Sequence, residues 1–330
     1  MIELSDQIRR VMAVSSDLDR SIGIVICIPS FRRPQHLRET LASVACQKTT
    51  RRFAVVVVEN DAIDREGAAE AERFLATGAI PGICILEPRQ GNCRAINAAF
   101  ETAKEVFSSA SMFLMLDDDE IASDRWVDLM ARAAAATGAG VVGGPVFPRF
   151  DDRDKQSLDC HPAFRPAYER SGPVPLIYGS GNCLITRDAF AALKKPVFDL
   201  RYNFLGGGDT DFFARCRQAG VSFYWEADAI ITETVPDSRT SVGWLTSRGL
   251  RIGAINYRVE SNLAHGVLAR LRLVAKTMVL LPLGAVRALR LVGSGQRFTV
   301  ALHPMVVSVG RVLAAIGIEP RPYKAPKASP

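Results

Sequence analysis

The sequence predicts an α/β fold: a mostly parallel sheet covered by helices on both faces, followed by a helical, basic C-terminal extension. Three observations point there. Short β-branched runs alternate with Ala-, Leu-, Glu- and Arg-rich stretches through the first half of the chain. Each run is apolar throughout rather than alternating, as strands buried on both faces are. Beyond residue 242 the β-branched runs give way to helical periodicity.

In order, residues 22–28, 53–58, 83–86 and 112–116 read as strands, and residues 36–46, 64–76 and 93–107 as the helices between them. Residues 150–175, rich in Asp, Arg and Pro, read as a long loop. A strand at 182–186, a helix at 187–193, glycines at 206–208, a helix from 209 and strands at 221–225 and 229–232 complete the domain. The final EPRPYKAPKASP reads as disordered. The resulting division is an extension over 1–20 and a catalytic domain over 21–258, whose halves meet near 122. A helical region over 259–318 and a tail over 319–330 follow. Parallel sheets place ligands beyond the carboxyl ends of their strands, so the polar residues just after each run are the ones to inspect.

Composition narrows the class. The chain has 330 residues, 48% hydrophobic and 23% charged, the balance of a folded protein. Its 7 cysteines are odd in number and show no C-x-x-C spacing, which supports neither a disulfide framework nor a zinc site and points to a reducing compartment. The N-terminus mixes charged and apolar residues, unlike a signal peptide. No uncharged apolar stretch reaches about 18 residues, and the longest, 277–286, is too short to cross a bilayer. Of the net +6, more than all lies beyond His265, where ten basic residues face only Glu319. Such a tail suits an anionic lipid surface. It shows no aromatic interleaving, so no nucleic acid is expected.

Four clusters carry chemistry. Asp117-Asp118-Asp119-Glu120 follows a strand directly; four adjacent acids repel one another, and a hard divalent cation relieves that repulsion. An acidic turn capping the next helix is the plainer alternative. Gly206-Gly207-Gly208-Asp209-Thr210-Asp211 lets the backbone approach closely and delivers carboxylates at a helix start, though a simple glycine loop with a helix cap reads the same way. Pro29-Ser30-Phe31-Arg32-Arg33 and Glu59-Asn60-Asp61 follow the first two strands, and a ring with acids and an amide there suits a nucleobase. Trp244, Arg248 and Arg251 share one helical face, fit for a diphosphate or for a plain basic surface.

Taken in order, these motifs resemble family 2 glycosyltransferases of the GT-A fold, of the kind that build bacterial exopolysaccharide. VICIPSFRRPQHLRETLASVACQ is similar to that family's first strand and helix, VVVVENDA to its second-strand acidic motif, and EPRQGNCRAINAAF to its glycine/asparagine segment. MFLMLDDDE resembles its D-x-D strand, YGSGNCLITRDAF its acceptor-side strand, GGGDTDFFARCRQAG its catalytic helix, and ETVPDSRTSVGWLTSRGLRIG its arginine-bearing lid. The likeness runs from about residue 22 to 257.

The resemblance implies an inverting, metal-dependent transferase. The donor would be a nucleoside-diphosphate sugar, a UDP-sugar, and the acceptor a glycan or lipid-diphosphate-linked oligosaccharide. It implies Asp119 and Asp117 on Mg²⁺ or Mn²⁺, and Asp117 and Asp118 near the donor. Pro29, Phe31, Arg33, Glu59, Asp61 and Asn97 would surround the nucleoside, with Arg248 and Arg251 on the diphosphate. Asp209 would be the catalytic base, with Gly207, Gly208, Asp211 and Trp244 toward the acceptor. Peripheral contact with the cytoplasmic face of a membrane through the basic C-terminal helices would bring the enzyme to a lipid-linked acceptor. The chain departs from the pattern at Gly208, where a glutamate is usual and its role is either missing or supplied by Asp211, at Ile96, where an arginine is common, and at Glu59, where Asp is commoner. A sugar-phosphate nucleotidyltransferase is the nearest rival, but it calls for a glycine-rich loop where this chain has PSFRRP. The other rival is a carbohydrate-binding protein that keeps the fold without turnover.

Overall fold

The computed structural model describes residues 4–193 and 196–318; the tail at 319–330 lies outside the described residues. The first half runs β1 (Arg10–Val14), β2 (Ile24–Ser30), α1 (Pro34–Ala45), β3 (Phe53–Glu59), α2 (Glu66–Ala76), β4 (Gly82–Leu86), α3 (Asn92–Val106) and β5 (Met112–Met115). Then come β6 (Glu120–Ala122), α4 (Trp126–Thr137), β7 (Val141–Gly143), β8 (Val146–Phe150), β9 (Gly172–Val174), β10 (Cys183–Thr186), α5 (Arg187–Ala191), α6 (Gly208–Gln218), β11 (Phe223–Trp225) and β12 (Ile231–Val235). The chain closes with α7 (Val242–Leu263), α8 (Val267–Gly293) and α9 (Phe298–Ala315).

Nine strands form one sheet in the order β1-β4-β3-β2-β5-β10-β7-β11-β9, and β6-β12-β8 form a second. Ser30 of β2 lies beside Glu59 of β3, which lies beside Leu86 of β4, so the loops after these parallel strands open on one edge. The α/β class holds, with a mixed sheet. Parallel pairing joins β2 to β5, β3 to β2 and β4 to β3, and again β7 to β11, while β10 runs antiparallel to both β5 and β7.

Side chains alternate across the sheet. On one face Val25, Cys27, Val56 and Val58 pack with Phe100 of α3 and Phe212 of α6. On the other, Ile26, Ile28 and Val57 pack with Leu37 and Leu41 of α1 and Trp126 of α4. β1, in the segment the sequence leaves as an extension, pairs antiparallel with β4 at the sheet edge.

α7 runs unbroken through residue 258, where the sequence places a domain boundary. It crosses α9 closely: a Cβ on Gly253 would strike the Val307 carbonyl, and one on Gly310 the Leu250 carbonyl. Arg311 of α9 is buried and donates to both carboxylate oxygens of Glu260 on α7 (3.1 and 2.5 Å) and to the Thr277 hydroxyl of α8 (3.1 Å). α9 also corrects the hydropathy reading. Among the described residues it is one helix long and apolar enough to cross a membrane, because Arg311 and His303 do not outweigh its apolar residues.

Candidate active site

The acidic turn leaves β5 and enters β6 beneath the end of β2. Asp118 is buried and fixed on three sides: the Ser30 hydroxyl (2.9 Å) and the Phe31 N–H (3.1 Å) donate to one oxygen, Arg33 (3.0 Å) to the other. Arg33 also donates to Asp119 at 2.6 Å, and Arg239, just past β12, stands 3.9 Å from the same oxygen. Glu120 folds back to accept from the Asp117 N–H (2.8 Å), and an added Cβ on Gly181 would strike its carboxylate. Burial first, then Asp119, Asp118 and Glu233, push Asp117 up to about 8. Burial and Asp117 likewise raise Glu120. Burial and Asp119 raise Glu233, which Arg239 holds at 2.8 Å. The turn is therefore a concentration of carboxylates restrained by cations from distant segments, beyond what a helix cap requires.

On the nucleoside side, Phe31 is half-buried at the end of β2, with the Arg32 guanidinium over its ring (5.1 Å). Arg32 has a left-handed backbone (φ 56°), unusual for a residue with a side chain, and donates to Asp61 at 2.7 Å. Burial pushes the Asp61 carboxyl up, but that bond and the Ile63 N–H prevail and hold it low. Pro29 is buried within β2. Glu59 corrects the sequence reading. Its carboxylate is turned into the protein and accepts from the N–H groups of Asp61 (2.7 Å) and Ala68 (3.0 Å) at the start of α2. Asn97 does likewise: its amide both donates to and accepts from the Phe198 backbone at 2.8 Å, fastening α3 to the segment before α6. Asn60 bonds to the backbone at Glu87, Arg89 and Gly91 and shapes the loop after β4.

The acceptor side is built by the glycines. Gly206 and Gly207 have positive φ (82° and 86°) and turn the chain sharply into α6, whose first turn carries Asp209. Gly207 packs on Ile255 of α7, and a Cβ on Gly208 would stand 2.7 Å from the Cys93 sulfur and 3.0 Å from Phe198. Gly208 is thus sealed in the core rather than open to an acceptor, and the site has no room there for a glutamate. Asp211 is no substitute: it is buried, and its carboxylate is taken by Arg215 of the same helix (2.7 Å). Asp209 is partly exposed and accepts from the Thr210 hydroxyl at 3.4 Å. The buried Cys183 thiol of β10 feels carboxylates of both acidic segments. Burial raises it well above the thiol range, and the charges of Asp117, Asp209 and Glu120 add to that.

On α7, Trp244 stacks on Phe164 (6.0 Å, 6° between planes) and carries the Arg248 guanidinium over its ring at 5.5 Å. Phe164 lies against His161, and His161 against His303 of α9 (5.0 Å). Arg248 also feels Glu233 and His303. Trp244 therefore joins the long loop to the C-terminal helices through its stack on Phe164. Arg251, one turn on, is half-buried.

The profile of Glycosyl transferase family 2 matches residues 25–194, just over half the chain. The chain belongs to that family. It is 31% identical over 259 residues to succinoglycan biosynthesis protein ExoM of Rhizobium meliloti, covering 76% of this chain and 79% of that protein. Among solved structures it resembles the mannosyltransferase PcManGT of Pyrobaculum calidifontis in complex with GDP-Man and Mn²⁺ (TM-score 0.58, 17% identity, 90% of each chain). It also resembles S. aureus TarS 1-349 in complex with UDP (TM-score 0.52, 12% identity, 94% of this chain and 98% of that one). These likenesses establish the GT-A fold of this family 2 member.

Glu233 and Arg239 stand beside the acid turn although the sequence names neither as a site residue, while Ser30 and Arg32 lie in the cluster after the first strand that the sequence does mark. Glu233 and Arg239 lie in the ETVPDSR segment, where the only signal is an acid and a base flanking a proline. Among the described residues no three His, Cys, Asp or Glu side chains are arranged to hold a metal. The donor set nevertheless fits a hard cation. Asp117 and Asp119 would supply oxygen ligands, since Mg²⁺-like ions use one or two carboxylates completed by substrate phosphates. Arg33 occupies the Asp119 oxygen such an ion would take.

Proposed function

We propose that this glycosyltransferase moves a sugar from a nucleoside-diphosphate sugar, a UDP-sugar, to a glycan or lipid-diphosphate-linked oligosaccharide in exopolysaccharide synthesis, with inversion at the anomeric carbon. The observation that carries this is the acid turn at the end of β5, where Arg33 bridges the buried Asp118 and Asp119 (3.0 and 2.6 Å) and Arg239 stands 3.9 Å from the same Asp119 oxygen. In this reading a diphosphate donor with its metal displaces the guanidinium groups from these carboxylates, and Asp209, partly exposed at the start of α6, is the carboxylate left for the acceptor hydroxyl. The role of the relative ExoM in succinoglycan biosynthesis supports the pathway class. The GDP-Man, UDP and Mn²⁺ complexes of the neighbours support the donor class and a divalent ion.

In this reading Phe31 and the Arg32–Asp61 pair hold the base and ribose edge, and Asp118, fixed by Ser30 and Phe31, keeps that loop on the acid turn. Asp119 and Asp117 would hold Mg²⁺ or Mn²⁺, which would neutralise charge on the departing diphosphate. Arg33 exchanges its carboxylate partner for diphosphate oxygens, and Arg248 and Arg251 reach them from α7. Asp209 accepts the proton of the acceptor hydroxyl as that oxygen bonds to the anomeric carbon on the face opposite the leaving group. A single displacement inverts the centre.

A panel of nucleotide sugars, read by thermal protection and by release of nucleoside diphosphate with Mg²⁺, Mn²⁺ or chelator, tests this. One donor should raise the melting temperature only when metal is present, and Asp119→Ala should abolish that rise. Protection by no nucleotide sugar under any metal condition overturns the reading. Binding without transfer to any hydroxyl acceptor overturns its catalytic part.

A further inference from the structure

The C-terminal helices differ in what they show to solvent. α9, the most apolar, buries Val300, Ala301 and Ala314 in the helical unit it forms with α7 and α8. α8 buries only a narrow stripe, Leu273, Thr277, Gly284 and Ala288. Its opposite side exposes Leu268, Leu271, Met278, Val279, Val286 and Leu289, several of them more than 60% open. At 3.6 residues per turn these six fall within an arc of about 100° along a helix about 40 Å long. Arg272 and Arg290 border that arc on one side, and Lys276 and Arg287 lie further round. α8 carries five basic residues and no acidic one.

An exposed apolar pole with cations along one border is the pattern of a helix lying in a lipid–water interface, with side chains in the acyl boundary and cations at anionic headgroups. A second copy apposed antiparallel fits poorly, because that pairing sets arginine beside arginine. Monomeric soluble surfaces rarely carry so continuous an apolar strip. We infer that the outward face of α8, and not α9, docks this protein on an anionic lipid bilayer, with α8 in the plane of the membrane. This goes beyond the transferase reading and does not depend on it, since lipid binding is read without turnover.

The test is flotation of the full chain with phosphatidylcholine vesicles, with and without phosphatidylglycerol. Three proteins are compared: the parent, Leu271→Glu/Met278→Glu/Leu289→Glu, and Arg272→Glu/Arg290→Glu. The parent should float with the anionic vesicles. The apolar-face variant should lose at least about tenfold in partition while keeping the parent's melting temperature, because all three side chains are exposed. The arginine variant should lose the preference for phosphatidylglycerol. Should the triple variant fail to fold, Val267→Glu/Leu268→Glu in the first turn reads the same face. A parent that stays unbound, or a folded apolar-face variant that floats as well as the parent, overturns the inference. So does a dimer abolished by the apolar-face substitutions in a protein that ignores vesicles, which would assign the face to a second copy.

Discussion

The two acidic segments of the site are stabilised in opposite ways. At the end of β5, Asp118 and Asp119 draw their cations from far along the chain, from Arg33 on the loop after β2 and Arg239 after β12. At the start of α6, Asp211 takes its cation from Arg215, one turn along the same helix, and Asp209, two residues earlier, stays partly open. A carboxylate with a local, buried partner serves the fold. Carboxylates held apart from one another only by cations from other elements are the ones a ligand can rearrange. On that contrast Asp211 serves the fold and Asp209 is the one the proposed function assigns to the chemistry, although neighbouring motif positions look alike in sequence.

Asp211→Asn tests the structural half and carries the largest effect. Removing the buried carboxylate leaves the partly exposed Arg215 with only its carbonyl partners at Pro196 and Val197, so chemical denaturation should show a loss of about 3 kcal/mol, the low end for a buried ion pair, while donor protection of the folded fraction persists. Loss of turnover at unchanged stability would move Asp211 into the chemistry and break the contrast. Gly208→Ala comes next. Its Cβ would press on Cys93 and Phe198, and a loss of about 2 kcal/mol in denaturant midpoint analysis is expected, again without change in donor selectivity.

The smallest effect sharpens the comparison at the lid, where Trp244 and Arg248 meet the histidines. Burial, His161 and Arg248 push His303 down from 6.5 to about 4. The folded protein therefore favours the neutral ring. The stability this contributes is complete above pH 6.5 and is lost as pH falls through about 4. For a partly exposed ring the amount is about 1 kcal/mol. Melting curves between pH 7.5 and 4 should fall less steeply for His303→Gln than for the parent, and identical curves would remove His303 as the cause.

The contrast also explains what was legible in the sequence. β2, β3, β4 and β5 appear within two residues of where apolar runs predict them, because burial on both faces demands continuous hydrophobicity. β1 escaped, since an edge strand of five residues leaves little pattern. The acid turn and the glycine-led helix were legible because unusual residue types cluster there. Which acid or amide faces the cleft was not. Glu59, Asn97 and Asp211 carry site-like chemistry, yet each is turned inward by partners that linear spacing does not reveal: the start of α2, the Phe198 backbone and Arg215. Gly208 has the opposite cause, for Cys93 and Phe198 leave no room for the expected glutamate. Arg239 reaches Asp119 across more than a hundred residues, beyond any local motif.

The central claim is that Asp209 does chemistry while the acid turn of β5 holds the donor. It is tested most directly by Asp209→Asn at saturating donor and metal, with donor affinity and single-turnover transfer measured on the same samples. The account predicts donor binding within about twofold of the parent and transfer slowed by about 10²- to 10⁴-fold, the contribution of a positioned general base. Transfer at the parent's rate, or donor affinity lost together with transfer, would contradict it.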